Sequence, residues 1–150
     1  MMSDPRPEEL EVLAEVDCIN LLRSHDLGRL AVVDKDARPL IFPINYFFDQ
    51  GVIVFRTDPG SKLDFAVGAQ VSFEIDGYDP DENLGWSVLV KGVAYDITNW
   101  HGGPDAQLRF WPVRPMVPGA LDYRVGIWAQ EITGRRFQGE ARRPKWHDSA

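Results

Sequence analysis

Six runs of strand-forming residues, at 28–34, 39–48, 52–56, 70–78, 85–98 and 123–132, constrain the fold more than anything else in the chain. The turns between the first three are only a few residues long, so these runs are predicted to form an antiparallel meander. Pro43, inside the second run, cannot donate to a ladder, which places that strand at an edge or at a bulge there. The fifth run is too long for an ordinary strand, and Gly92 is its natural bend. Helical periodicity predicts short helices over 62–67 and 105–110 and a longer amphipathic helix over 7–24. The long helix has Pro7 suited to its first position, acidic residues in its first turn and Arg23 near its end. Pro112, Pro115 and Pro118 then force an irregular, extended loop. Together these signals describe a mainly β chain: a six-stranded antiparallel β-barrel, closed or nearly closed, with peripheral helices.

At 150 residues and 44% hydrophobic content, the chain can bury a substantial core, and one domain over 1–150 is expected. Its core would run from about 10 to 133, with a polar tail from about 139 that is mobile except near Trp146. A net charge of −7 argues against nucleic acid and anionic membrane surfaces, which select a basic footprint. No stretch approaches a membrane span, and the opening M-M-S-D-P-R-P-E-E has no apolar signal core, so a cytoplasmic location is expected. The single Cys18 excludes an internal disulfide and lies on the apolar face of the first helix, as a buried, inert thiol would. His25, His101 and His147 lack metal-ligand spacing, and no nucleophile elbow, P-loop or dinucleotide fingerprint occurs.

The chemistry gathers at V-I-V-F-R-T-D-P-G-S-K, residues 52–62, where a strand ends, turns and restarts as a helix. Arg56 offers a planar fork of donors, Lys62 a mobile point charge, and Thr57 and Ser61 two hydroxyls. That donor set suits a phosphate monoester on a cofactor tail. The alternative is a Ser61–Asp64 capping box flanked by solvated charges.

The order G-R-L-A-V-V-D, P-I-N-Y, F-R-T-x-x-G-S-K-L, V-S-F-E-I-D and W-S-V-L-V-K-G resembles the flavin-binding split-barrel superfamily of the pyridoxamine 5'-phosphate oxidase type over residues 10–133. It is most similar to the small, one-domain flavin-nucleotide-binding branch, whose members are homodimers with cofactor at the subunit interface. By that similarity Arg56, Thr57, Ser61 and Lys62 hold the phosphate of FMN, and Pro43, Ile44, Asn45 and Tyr46 lie along the isoalloxazine ring. Trp86 and Ser87 approach the same site, with Lys91 a further donor. Asn45 reads equally as a turn residue at a strand end, and Trp86 as a core or interface aromatic. The segment 110–116 would be a rigid lid, a subunit contact or a plug of the barrel end, and Arg135 and Arg136 would form surface salt bridges.

The resemblance implies an FMN-dependent oxidoreductase passing hydride between the ring and a small molecule. The alternatives it carries are a reductase using the deazaflavin F420 and a non-catalytic FMN-binding or redox-sensing protein. Haem binding, known in distant split-barrel relatives, would need His101 or His147 as axial ligand.

Overall fold

The computed structural model describes residues 10–115 and 123–139. Pro7, Met116, Pro118, Trp146 and His147, and with them the predicted helix start and polar tail, lie outside the described residues. The chain runs β1 (Leu10–Val12), α1 (Glu15–Ser24), β2 (Leu27–Val33), β3 (Pro39–Asn45), β4 (Phe47–Asp49), β5 (Val52–Thr57), α2 (Ser61–Ala66), β6 (Gln70–Asp79), β7 (Leu84–Asp96) and β8 (Tyr123–Gln138). A 3-10 turn, Ala106–Phe110, follows β7.

Seven strands form one antiparallel path, β3-β2-β6-β7-β8-β5-β4, and the short β1 adds to β8. The expectation of six strands is therefore corrected, and so is the opening meander. The run 39–48 breaks at Tyr46, whose N–H donates to Asp26 O at 2.9 Å. Its first part stays with β2, while its second part, β4, leaves to pair with β5. The predicted helix over 7–24 shrinks to α1, because Leu10–Val12 lies in register with Phe137, Arg136 and Arg135. Pro43 does fall on an edge strand, since among the described strands β3 pairs only with β2. Gly92 is the predicted irregularity: the β7–β8 register shifts between Lys91 and Gly92.

The sheet curls so that one face encloses the main core. Phe55, Phe73, Leu30, Ile75 and Ile127 are fully buried there, and α1 closes one side with Cys18 and Leu22. Each such side chain contributes roughly 1.5–3 kcal/mol by leaving water. Val52 and Val54 face the other way into a second cluster with Ile97, Leu108 and Val113, so β5 is buried on both faces. That explains why its sequence is continuously apolar rather than alternating.

The outer face of β2, β6 and β7 carries a charged group. Arg29 Nη1 lies 3.4 Å from Glu74 Oε1 and 3.2 Å from Asp76 Oδ2. Burial, then the hydrogen bond and charge of Asp76, push the Glu74 carboxyl up to about 7, outweighing the opposing pull of Arg29. Glu74 thus holds its proton more tightly folded than unfolded. Its contribution to stability is full below the ordinary carboxylate pKa and is lost as pH rises through about 7.

Two measurements check this architecture. A Cβ at Gly92 would lie 2.1 Å from the Trp128 carbonyl oxygen, a backbone atom that cannot swing away. Gly92→Ala should therefore cost about 2–4 kcal/mol in chemical denaturation. Between pH 5 and 8 the protein should lose about 1 kcal/mol of stability at the partly exposed Glu74, where solvent screening reduces the full linkage value. Thermal melts of Glu74→Gln should not show that loss.

Candidate functional site

The strand-to-helix turn after β5 forms as the residue pattern predicts. Gly60, not Ser61, is the N-cap of α2, and it makes no side-chain capping bond. The capping-box reading of Ser61 and Asp64 is thereby set aside, and the exposed Ser61 hydroxyl has no partner among the described residues. Thr57 is buried, and its hydroxyl donates to Asp58 O at 3.0 Å, which ties it to the turn. Lys62 reaches across to β3, with Nζ 5.7 Å from the centroid of the Phe42 ring.

A residue that sequence reasoning missed stands beside Arg56. Arg124 of β8 is its cross-strand partner, so two guanidinium groups share one face of the sheet. Arg124 is held firmly: Nη1 donates to Trp111 O at 2.6 Å, and its backbone N–H donates to Thr98 Oγ1 at 2.9 Å. Burial, followed by the charge of Arg56, pulls the Arg124 pKa below its usual range. An anion placed between the two arginines would relieve that repulsion. The two arginines, Lys62 and Ser61 are a donor set chemically suited to phosphate.

The four residues expected along a planar ring divide. Ile44 and Tyr46 turn their side chains into the core, the Tyr46 hydroxyl donating to Leu22 O at 2.7 Å. Burial and then the charge of Asp26 drive the Tyr46 phenol well above its ordinary pKa, so it stays protonated. Pro43 is exposed, while Asn45 is half-buried and donates to Pro115 O at 3.5 Å. On an edge strand, alternate backbone N–H and C=O groups point away from the sheet and are available to a ligand.

Asn45 and Tyr46 also line a cleft of about 1020 Å³ between the end of α1, the β3–β4 step and residues 112–114. Arg23 Nη2 pairs with Asp49 Oδ1 at 2.8 Å across one side of it. His25 Nδ1 lies 2.8 Å from Leu21 O and 3.1 Å from Ser24 Oγ, which fixes the ring at the cleft wall. Arg114 borders the cleft without a partner among the described residues.

Ser87 and Lys91 stand apart from these groups, whereas Trp86 meets the cleft wall through His25. Trp86 packs against the core, its ring 4.8 Å from that of His25. Ser87 and Lys91 alternate with the buried Val88 and Val90 and therefore face outward, where Lys91 Nζ lies 3.8 Å from Glu131 Oε2. Two strands, β2 and β6, separate β7 from β3, so one chain does not bring these residues to the edge strand. Of the remaining aromatics, Trp111 plugs the second cluster and meets Phe47 at 5.1 Å, whereas Phe110 is exposed beneath Arg109. His101 is occupied by Arg109, 2.9 Å away, and Arg136 pairs with Glu11.

The sequence profile of the pyridoxamine 5'-phosphate oxidase family matches residues 14–136, and the chain belongs to that family. A protein of Mycobacterium tuberculosis, itself uncharacterized, is 32% identical over 148 residues, spanning 92% of this chain and 94% of its own. Among solved structures, the FAD-binding protein from Mycobacterium smegmatis is 34% identical with a TM-score of 0.70, covering 85% of this chain and 98% of that one. A Corynebacterium glutamicum protein provisionally named as a pyridoxamine 5'-phosphate oxidase is 32% identical with a TM-score of 0.71, covering 93% of this chain and 99% of that one.

Because the Tyr46 hydroxyl serves the core, Tyr46→Phe should cost about 1–2 kcal/mol by leaving Leu22 O unpaired. Denaturation should show this loss with no change in flavin affinity beyond it.

Proposed function

We propose that the protein is an FMN-dependent oxidoreductase that works as a homodimer on a small molecule. The observation that carries this reading is the pairing of Arg56 with Arg124 across the β5–β8 ladder, at the end of the strand whose turn leads to Ser61 and Lys62, with Lys62 Nζ 5.7 Å from the Phe42 ring of β3. The arginine pair and Lys62 would grip the phosphate, and Ser61 would fill a remaining oxygen. Outward backbone groups of β3, with the Asn45 amide, would meet the polar rim of the ring. The flavin itself supplies the hydride chemistry when bound, which leaves the chain to bind, orient and shield it.

Homodimerisation accounts for the groups that a single chain leaves apart. Ser87 and Lys91 project from the outer face and would reach a ring only across a subunit interface. Leu27, Val33 and Ile41 are more than half exposed on β2 and β3, and a second copy would cover them. The cleft beside Asn45 would admit the substrate, with Arg114 and His25 at its wall. It is also roomy enough for the additional nucleotide of FAD, the cofactor named for the Mycobacterium smegmatis relative.

Titration of the apoprotein with FMN, riboflavin, FAD and F420, each followed by addition of NADPH, tests the reading. FMN should bind more tightly than riboflavin, and NADPH should reduce it. Slow or absent reduction of a tightly held flavin would instead favour a carrier or sensor. In Arg56→Ala/Lys62→Ala, FMN affinity should fall about 100-fold while riboflavin affinity holds. Equal losses for both ligands would remove the phosphate assignment.

A further inference from the structure

A smaller hollow, of about 390 Å³, opens at the opposite end of β7 from Ser87. Its walls are Val93 and Tyr95 of β7, Trp128 and Gln130 of β8, and Trp100 and Asp105 from the segment after β7. Register produces the gathering. Val93 pairs with Trp128 and Tyr95 with Gly126, which sets these positions side by side. Gly126 leaves the space into which the indole leans, since a Cβ there would lie 2.8 Å from Trp128 Cζ3.

The rings meet at angles instead of stacking face to face, and all three border the hollow. Trp128 lies 5.6 Å from Tyr95 at 73° and 5.3 Å from Trp100 at 40°. Trp100 and Trp128 are braced from behind by the cluster of Val52, Val54 and Ile97, so these walls are fixed. Asp105 adds a charge to the rim. It is the N-cap of the 3-10 turn, yet its carboxylate makes no capping bond. Half-buried, it has no hydrogen-bond or ion-pair partner for its side chain among the described residues.

From these features we infer that the hollow binds a small quaternary ammonium cation of the choline type. Three electron-rich rings attract a cation through their quadrupoles while their carbon surface accepts its methyl groups. The unpaired carboxylate supplies the counter-charge that the rings lack. A methylated ammonium sheds its water readily, having no N–H groups to leave unsatisfied. A betaine bearing its own carboxylate would be repelled by Asp105. The inference stands apart from the flavin reading, as none of these residues belongs to the proposed phosphate or ring contacts.

Isothermal titration with choline, tetramethylammonium, glycine betaine and 3,3-dimethylbutan-1-ol, the uncharged isostere of choline, tests it. Both cations should saturate one site, with the alcohol and the betaine about tenfold weaker or worse. Asp105→Asn should weaken choline about tenfold without affecting the alcohol. Tyr95→Leu, at a wall that is partly exposed, should weaken both cations, and FMN affinity should be unchanged in either variant. Absence of choline binding, equal binding of the alcohol, or an Asp105→Asn protein that binds choline as tightly as before would each overturn the assignment.

Discussion

The pairing of β7 with β8, continuous from Leu84–Gln138 to Asp96–Val125 except for one slip, is the constraint on which the remaining structure depends. β7 also carries β6, and through it β2 and β3, while β8 carries β5 and β1. One extra residue on β8 at the slip lets the long strands bend together, as a curled sheet requires. Moving the register by a single position would turn Val88, Val90, Val125 and Ile127 out of the core. On the other side of β8, the β5–β8 ladder puts Arg124 opposite Arg56, so the charge of the candidate site is an outcome of sheet registration.

Much of this was legible in the chain. The strand runs, the bend at Gly92, the edge position of Pro43 and the turn before α2 each follow from a local signal: alternation, a glycine, a missing donor, a polar break. The errors share a different origin. Leu10 and Val12 fit helical spacing, yet both are largely exposed and are ordered by β8, which lies more than a hundred residues away. The last strand was expected over 123–132, where the alternation lies, whereas pairing with β7 and β1 continues it to Gln138. The break at Tyr46 was hidden because its cause is a backbone bond to Asp26 and a hydroxyl bond to Leu22.

The site shows the same division between local and non-local information. Arg56, Thr57, Ser61 and Lys62 fall on one strand-turn-helix segment, so their place around a single turn could be read directly. Arg124 carried no such signal, because an arginine in a strand gives no hint of what lies across the ladder. Alternation along β3 and β7 was visible, but which side of each strand would become the inside depended on how the sheet curls. Ile44 and Tyr46 consequently serve the core, and Ser87 and Lys91 the outer surface.

Pro43 on the edge strand has an effect that reaches beyond strand pairing. An open sheet edge invites any extended peptide to add itself, a route to aggregation. A proline in that edge interrupts the donor series that an incoming strand would need, while leaving neighbouring carbonyls and amides in place. A flat, rigid ligand needs only one or two of those groups, whereas a polypeptide needs the unbroken row. The edge of β3 therefore discriminates by the length of the hydrogen-bond pattern it is offered, open to a compact guest and closed to a chain.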